Sequence, residues 1–288
     1  MANTKRRTAA AKWGAALTLA VAAAAQGASP ARDPSGKPPN AAAVQSGSRF
    51  DARRLRTGRF EYLTLDHGKV VGKGCLTIRR LGDGTVAFTD DETGAFAQHW
   101  EARATASLAP LTAALCFTQG AHAVSMNLIY RGDQVTGTAA RDLAAGAKAP
   151  AIRATLPPVT IDQRIDWAAV LASRVQLGAE LSFNVYDPWT GASQVSGQAT
   201  KLERASVPAG AWDAYRVSYR VKKPKGWELY QLMVSKDEPH LMIREEFPDG
   251  SVSELTGVSA TDGSRPCRQE RCTDTSVPPA SGSPRPPC

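Results

Sequence analysis

The chain is poor in the residues from which active sites are usually built. It has four histidines, His67, His99, His122 and His240, and none forms an H-E-x-x-H or H-x-H pair, so the common sequence-local zinc sites are excluded. No G-x-S-x-G elbow nominates a serine nucleophile. No phosphate-binding or dinucleotide fingerprint is present. These absences leave no metal or cofactor to expect and point away from an enzyme. Long apolar runs are also scarce: beyond residue 25, none approaches the roughly 18 residues that a membrane helix needs. No fold motif of a nucleic-acid binder appears either.

What is present begins with the N-terminus. Lys5, Arg6, Arg7 and Lys12 precede an uncharged, Ala-rich run from Trp13 to Ala25. A positive head, a short apolar core and small residues near Ala25 make residues 1–25 a predicted signal peptide. The mature chain is therefore expected outside the cytoplasm, in the periplasm or fully secreted. The leader carries four basic and no acidic residues, so the formal charge of +8 falls to +4 without it. Half of the basic character thus belongs to export, and nucleic acid is not an expected partner. Residues 26–48 and 260–288 are rich in Ala, Pro, Ser and Gly without apolar periodicity. Such composition buries too little to offset its ordering entropy. Both are expected to be disordered flanks of one domain over residues 50–259.

Five cysteines in an exported chain suggest disulfides. The simplest pairing is Cys75 with Cys116 and Cys267 with Cys272, leaving Cys288.

Side-chain alternation dominates the domain. Leu181, Phe183 and Val185 alternate with Ser182, Asn184 and Tyr186; Tyr215, Val217, Tyr219 and Val221 alternate with Arg216, Ser218 and Arg220. Period two means one wet and one buried face, as in an antiparallel sheet. Turn signals at Gly82-Asp-Gly84, Arg131-Gly-Asp133, Pro188-Trp-Thr-Gly191, Pro208-Ala-Gly210 and Pro248-Asp-Gly250 suggest a meander of hairpins. One helix is predicted: Thr160-x-x-Gln163 fits a capping box, Ile165, Ala168, Ala169 and Ala172 follow at helical spacing, and Gly178 closes it. Val70-Val-Gly72-Lys-Gly74 and Val195-Ser-Gly197-Gln-Ala199 are similar enough to suggest two duplicated halves. The fold expected is all-β with one helix, a strongly bent antiparallel sheet forming a half-barrel.

Few side chains invite chemistry. On a strand, His99 and Glu101 share a face and could act as base and orienter, although such pairs are more often surface contacts. Asp90-Asp91-Glu92 and Asp237-Glu238 are expected to be solvated near turns. Glu245 and Glu246 point to opposite faces and make a poor dyad. The aromatic residues Phe60, Tyr62, Phe183, Tyr215, Tyr219, Trp227 and Tyr230 all fall in predicted strands, mostly as core.

The runs Val207-Pro-Ala-Gly-Ala-Trp-Asp-Ala-Tyr-Arg-Val217, Val234-Ser-Lys-Asp-Glu-Pro239, Arg244-x-x-x-Pro248-Asp-Gly250 and Gly178-x-x-Leu181-x-Phe183-x-Val185-x-Asp187 resemble a family of exported bacterial β-sheet proteins of unknown function. That family is often compared with the half-barrel lipoprotein carriers LolA and LolB. The resemblance implies a bent sheet around a helix and carries over no catalytic residue. It makes Leu181, Phe183, Val185, Tyr215, Val217 and Tyr219 a candidate concave face for a lipid, an acyl chain or an envelope partner. The alternatives are a structural or assembly module of an envelope complex, and a hydrolase using His99 and Glu101.

Overall fold

The structure is a computed structural model that describes residues 49–144 and 146–259. The expected leader, both flanks, and Cys267, Cys272 and Cys288 lie outside the described residues. Fifteen strands follow in chain order: β1 (Gly58–Asp66), β2 (Lys69–Arg80), β3 (Val86–Gly94), β4 (Ala97–Ala104), β5 (Pro110–Gln119), β6 (His122–Arg131), β7 (Gln134–Arg141), β8 (Ala151–Thr155), β9 (Thr160–Asp162), β10 (Glu180–Asp187), β11 (Gly191–Val207), β12 (Gly210–Lys223), β13 (Gly226–Ser235), β14 (Met242–Glu246) and β15 (Val252–Ser259). Among the described residues there is one α-helix, α1 (Asp166–Ala172), between β9 and β10.

All fifteen strands form one sheet, in the order β8 to β1, then β15 to β9. Every neighbouring pair is antiparallel except β9 with β10. The sheet is large, bent and unclosed, as the alternation implied. Each of the five turn signals falls between consecutive antiparallel strands.

The bend gives the sheet an inner face. Paired residues on adjacent strands point to the same side. The register links Phe60, Leu76, Asp90, Trp100 and Leu115 in one inner row. Neighbouring rows add Phe88, Phe183, Val217 and Tyr219 to the same core. Into that concavity α1 is set, with all seven of its residues buried. Phe88 meets Trp167 edge-on at 6.0 Å, and Phe50 meets Phe183 at 5.5 Å.

The helix differs from its predicted form. Thr160 caps nothing: it lies in β9, and its hydroxyl donates to the Pro157 carbonyl at 2.6 Å. Asp162 does the capping instead, accepting the Arg164 amide at 2.9 Å at the head of a short 3-10 turn. The helix then runs for only seven residues. Its buried face is larger than an Ala stripe, because Trp167, Val170 and Leu171 are inside as well.

A buried polar lock joins the two arms of the sheet. Asp162 on β9 is fully buried and receives a charge-assisted bond from Arg164 at 2.7 Å. The Tyr130 hydroxyl on β6 donates to the same carboxylate. Asp187 at the end of β10 lies 3.8 Å from the Arg164 guanidinium. Burial opposes the charge on Arg164, but Asp162 and Asp187 outweigh it and raise its pKa.

Candidate functional site

The six residues expected on an open concave face are brought together, but beneath the helix. Phe183, Val185, Val217 and Tyr219 are buried, and half-buried Leu181 and Tyr215 pack against the same core as α1. The protein's own helix therefore occupies the apolar part of that face.

The rest of the inner face is carboxylic. Asp90 and Glu92 are half-buried, and Glu245 is buried. Asp90 and Glu92 do not lie at a turn, as expected, but within β3. Thr64 donates to Glu92 at 3.0 Å, and the Gln98 amide reaches Glu92 at 3.2 Å and Asp90 at 3.4 Å. The Tyr219 hydroxyl donates to Glu245 at 3.0 Å. Asp166, at the start of α1, accepts the Trp167 amide at 2.7 Å. Burial, reinforced by the charge of Glu92, pushes the Asp90 carboxyl well up. Burial pushes Glu92 and Asp166 up to about 7. Burial and the neighbouring Asp166 push Glu245 up to about 8. Burial thus opposes the charged form of each of these carboxyls. Among the described residues, no three His, Cys, Asp or Glu side chains form a set that could hold a metal ion.

His99 lies on the opposite, outer face. The register aligns Glu61, Cys75, Asp91, His99 and Cys116 in one outer row across β1 to β5. His99 Nδ1 is 2.7 Å from Asp91 and Nε2 is 3.3 Å from Glu101. Hydrogen bonding to Asp91 and then to Glu101 lifts the imidazole pKa to about 9. The expected His99–Glu101 contact is present, but a protonated ring with a carboxylate at each nitrogen cannot accept a proton at neutral pH. The row also sets Cys116, a disulfide-bonded residue, opposite His99. Sequence reading missed that proximity, because 16 residues lie between His99 and Cys116. His240 is buried and bonds the Ser235 carbonyl at 2.8 Å, and His122 pairs with Asp142 at the surface.

Cys75 and Cys116 are both disulfide-bonded, as expected of an exported chain, but the register keeps them from bonding to each other. Three strand spacings separate them along the row, or about 14 Å, whereas a disulfide needs Cα atoms within about 7 Å.

An accessible surface lies on the outer side of β10 to β13. A shallow depression of about 630 Å³ lies there, lined by Arg49, Ser182, Gln198, Arg220 and Leu229 among others, with Gly197 in its floor. A Cβ at Gly197 would meet the Ser218 carbonyl and the Tyr219 Cβ at 2.6 Å, so only glycine lets β11 and β12 approach so closely. Beside it stands Trp227, one strand aromatic that is not core: it is 42 % exposed. Arg220 lies 4.4 Å and Lys222 5.3 Å from its ring centroid. Leu229, 53 % exposed, and exposed Lys225 extend the patch. Among the described residues, no helix is long and apolar enough to cross a membrane.

The class these features define is a bent, single-sheet β protein wrapped around a short helix. No protein-family model matches the chain, and no curated relative does. Among solved structures, it is similar to a protein of Bacteroides fragilis NCTC 9343 described as a putative exported protein with a YmcC-like fold. The match has 11 % identity over 74 % of this chain and 100 % of that one, at a TM-score of 0.33. At that score the likeness transfers neither fold nor function.

Proposed function

We propose that the chain is a non-catalytic protein of the bacterial cell envelope, exported through residues 1–25 to the periplasm, that docks on anionic lipid headgroups through the outer surface of β10 to β13. The observation that carries this reading is the exposed Trp227 with Arg220 and Lys222 stacked on its ring, next to exposed Leu229. An amphipathic ring at headgroup depth with cations around it is the arrangement that an anionic membrane surface rewards. Glu180 is the one acidic residue lining the adjacent depression, against Arg49 and Arg220. The half-barrel carrier reading places an acyl chain on Leu181, Phe183, Val185, Tyr215, Val217 and Tyr219. It requires α1 to leave, and a seven-residue helix has little stability of its own.

Cosedimentation with vesicles tests the docking. The protein should bind phosphatidylglycerol-containing vesicles and not pure phosphatidylcholine, and lose binding at high salt. Each cation near the surface is worth about 1 kcal/mol. The double variant Arg220→Gln, Lys222→Gln should therefore bind roughly tenfold or more weakly. Equal binding to both vesicle types, or an unchanged double variant, would refute the proposal.

A further inference from the structure

The depression on the outer side of β10 to β13 is made by short side chains in register, with cations along one row and acceptors along the next. We infer that it seats the glycerol-phosphate headgroup of phosphatidylglycerol, which makes the docking described above selective for one anionic lipid. The inference rests on that docking and deepens it.

The rows come from the pairing of neighbouring strands. Ser182 on β10 pairs with Ser196 on β11, Ser196 with Arg220 on β12, and Arg220 with Leu229 on β13. Two residues along, Glu180 pairs with Gln198 and Gln198 with Ser218. Paired residues share a face, and the two rows are about 7 Å apart. Three serines therefore lie among longer neighbours, and the hollow of about 630 Å³ that they leave is the size of a small-ligand site.

The first row carries the cations. Arg220 is held from two sides: its Nε donates to Ser196 Oγ at 3.1 Å, and its guanidinium lies 4.4 Å from the Trp227 ring centroid. Among the described residues, its two terminal nitrogens make no hydrogen bond. Arg49, at the other end of the row, is anchored by donating to the Ser182 carbonyl. A guanidinium fixed in this way loses little freedom on meeting a phosphate.

The second row carries acceptors. Gln198 donates its amide to the Gly178 carbonyl at 3.2 Å, which leaves its side-chain oxygen for a hydroxyl. Glu180 is exposed and makes no ion pair among the described residues. A carboxylate repels phosphate and accepts from hydroxyls, so it sets the direction of the ligand. The phosphate lies on the row of Arg220 and Arg49, and the glycerol hydroxyls turn toward Glu180 and Gln198. Leu229 and Trp227 stand beside the phosphate row, where the acyl part of the lipid begins. A phosphate without a head alcohol leaves both acceptors unused, and a choline head has no hydroxyl to offer them.

Vesicles with equal mole fractions of phosphatidylglycerol or phosphatidic acid in phosphatidylcholine separate this inference from the docking itself. Phosphatidic acid carries at least as much charge per headgroup, so an electrostatic surface alone would bind it at least as tightly. The full chain should instead bind the phosphatidylglycerol vesicles roughly fivefold or more tightly in cosedimentation, the worth of one net hydrogen bond. Ser218→Val fills the hollow with a residue that suits a strand, and should bring the two affinities close to equal. Equal affinities in the parent, or tighter binding to phosphatidic acid, would overturn the inference and leave the docking standing. An undiminished preference in Ser218→Val would overturn it too. Binding to neither vesicle would overturn the docking and this inference with it. The two lipids are compared on the parent chain, so the test stands even where Ser218→Val folds poorly.

Discussion

Replacing Arg164 with Met is expected to destabilise the protein by about 3–5 kcal/mol, measured by urea unfolding. The guanidinium and the Asp162 carboxylate are both almost entirely buried. Removing the cation leaves a buried anion with the Tyr130 hydroxyl and the Arg164 amide as remaining donors. The loss is felt across the fold, because Tyr130 belongs to one arm of the sheet and Asp162 to the other. The second variant, Arg164→Met with Asp162→Asn, removes both charges. It should recover a large part of the loss, because most of the cost is the uncompensated ion and not the missing bond. If the single variant were within about 1 kcal/mol of the parent, a surface-type pair would be the better description.

The second large effect is a fall in stability as pH rises. Glu92, Asp166 and Glu245 have folded pKa values near 7, 7 and 8. Each lies above the ordinary value of its unfolded carboxyl. Between about pH 4.5 and 8 the folded chain therefore holds protons that the unfolded chain has lost, and stability declines with pH. His99 acts in the same direction: its contribution is complete below about 6.5 and is lost as pH rises through about 9. His240 runs the other way, since burial lowers its pKa. Its contribution is lost only as pH falls below the ordinary histidine value. Above about pH 6.5 the acid cluster and His99 set the slope alone. The expected loss from pH 6.5 to 8.5 is on the order of a few kcal/mol, less than the separate shifts would sum to, because the carboxyls interact. Glu245→Gln keeps an acceptor for the Tyr219 hydroxyl and removes one titration. It should flatten this slope and be more stable than the parent at pH 8.5. A flat parent profile would contradict the neutral-carboxyl interior.

Much of the sheet was legible because strand alternation is a local property. Phe183, Val185, Val217 and Tyr219 are buried as their period-two spacing required, and the Gly- and Pro-rich turns stand where their residues demanded. Glu245 and Glu246 do face opposite ways, one buried and one half-buried. What was not legible depends on register. The alignment of Cys75, Asp91, His99 and Cys116 spans four strands, and no residue of the row is adjacent to another in sequence. Asp90 and Glu92 resemble turn residues by composition, yet β3 carries them into the concavity because Thr64 and Gln98 lie where they can donate. The helix boundary was misread for a local reason: Thr160 and Asp162 are both good caps, and β9 pairing with β10 used the first. The exposed Trp227 was missed because an aromatic in a strand is most often core, and only the cations across the hairpin mark it otherwise.

The central structural claim is that the helix fills the concave face and leaves recognition to the outer surface. Amide hydrogen exchange over residues 166–172 tests it most directly. Protection of Val170 and Leu171 close to that of the central strands, unchanged when phosphatidylglycerol vesicles are added, is the expected result. Exchange near the rate of an unstructured peptide, or protection lost when vesicles bind, would contradict it and return the apolar concavity to use as a lipid site.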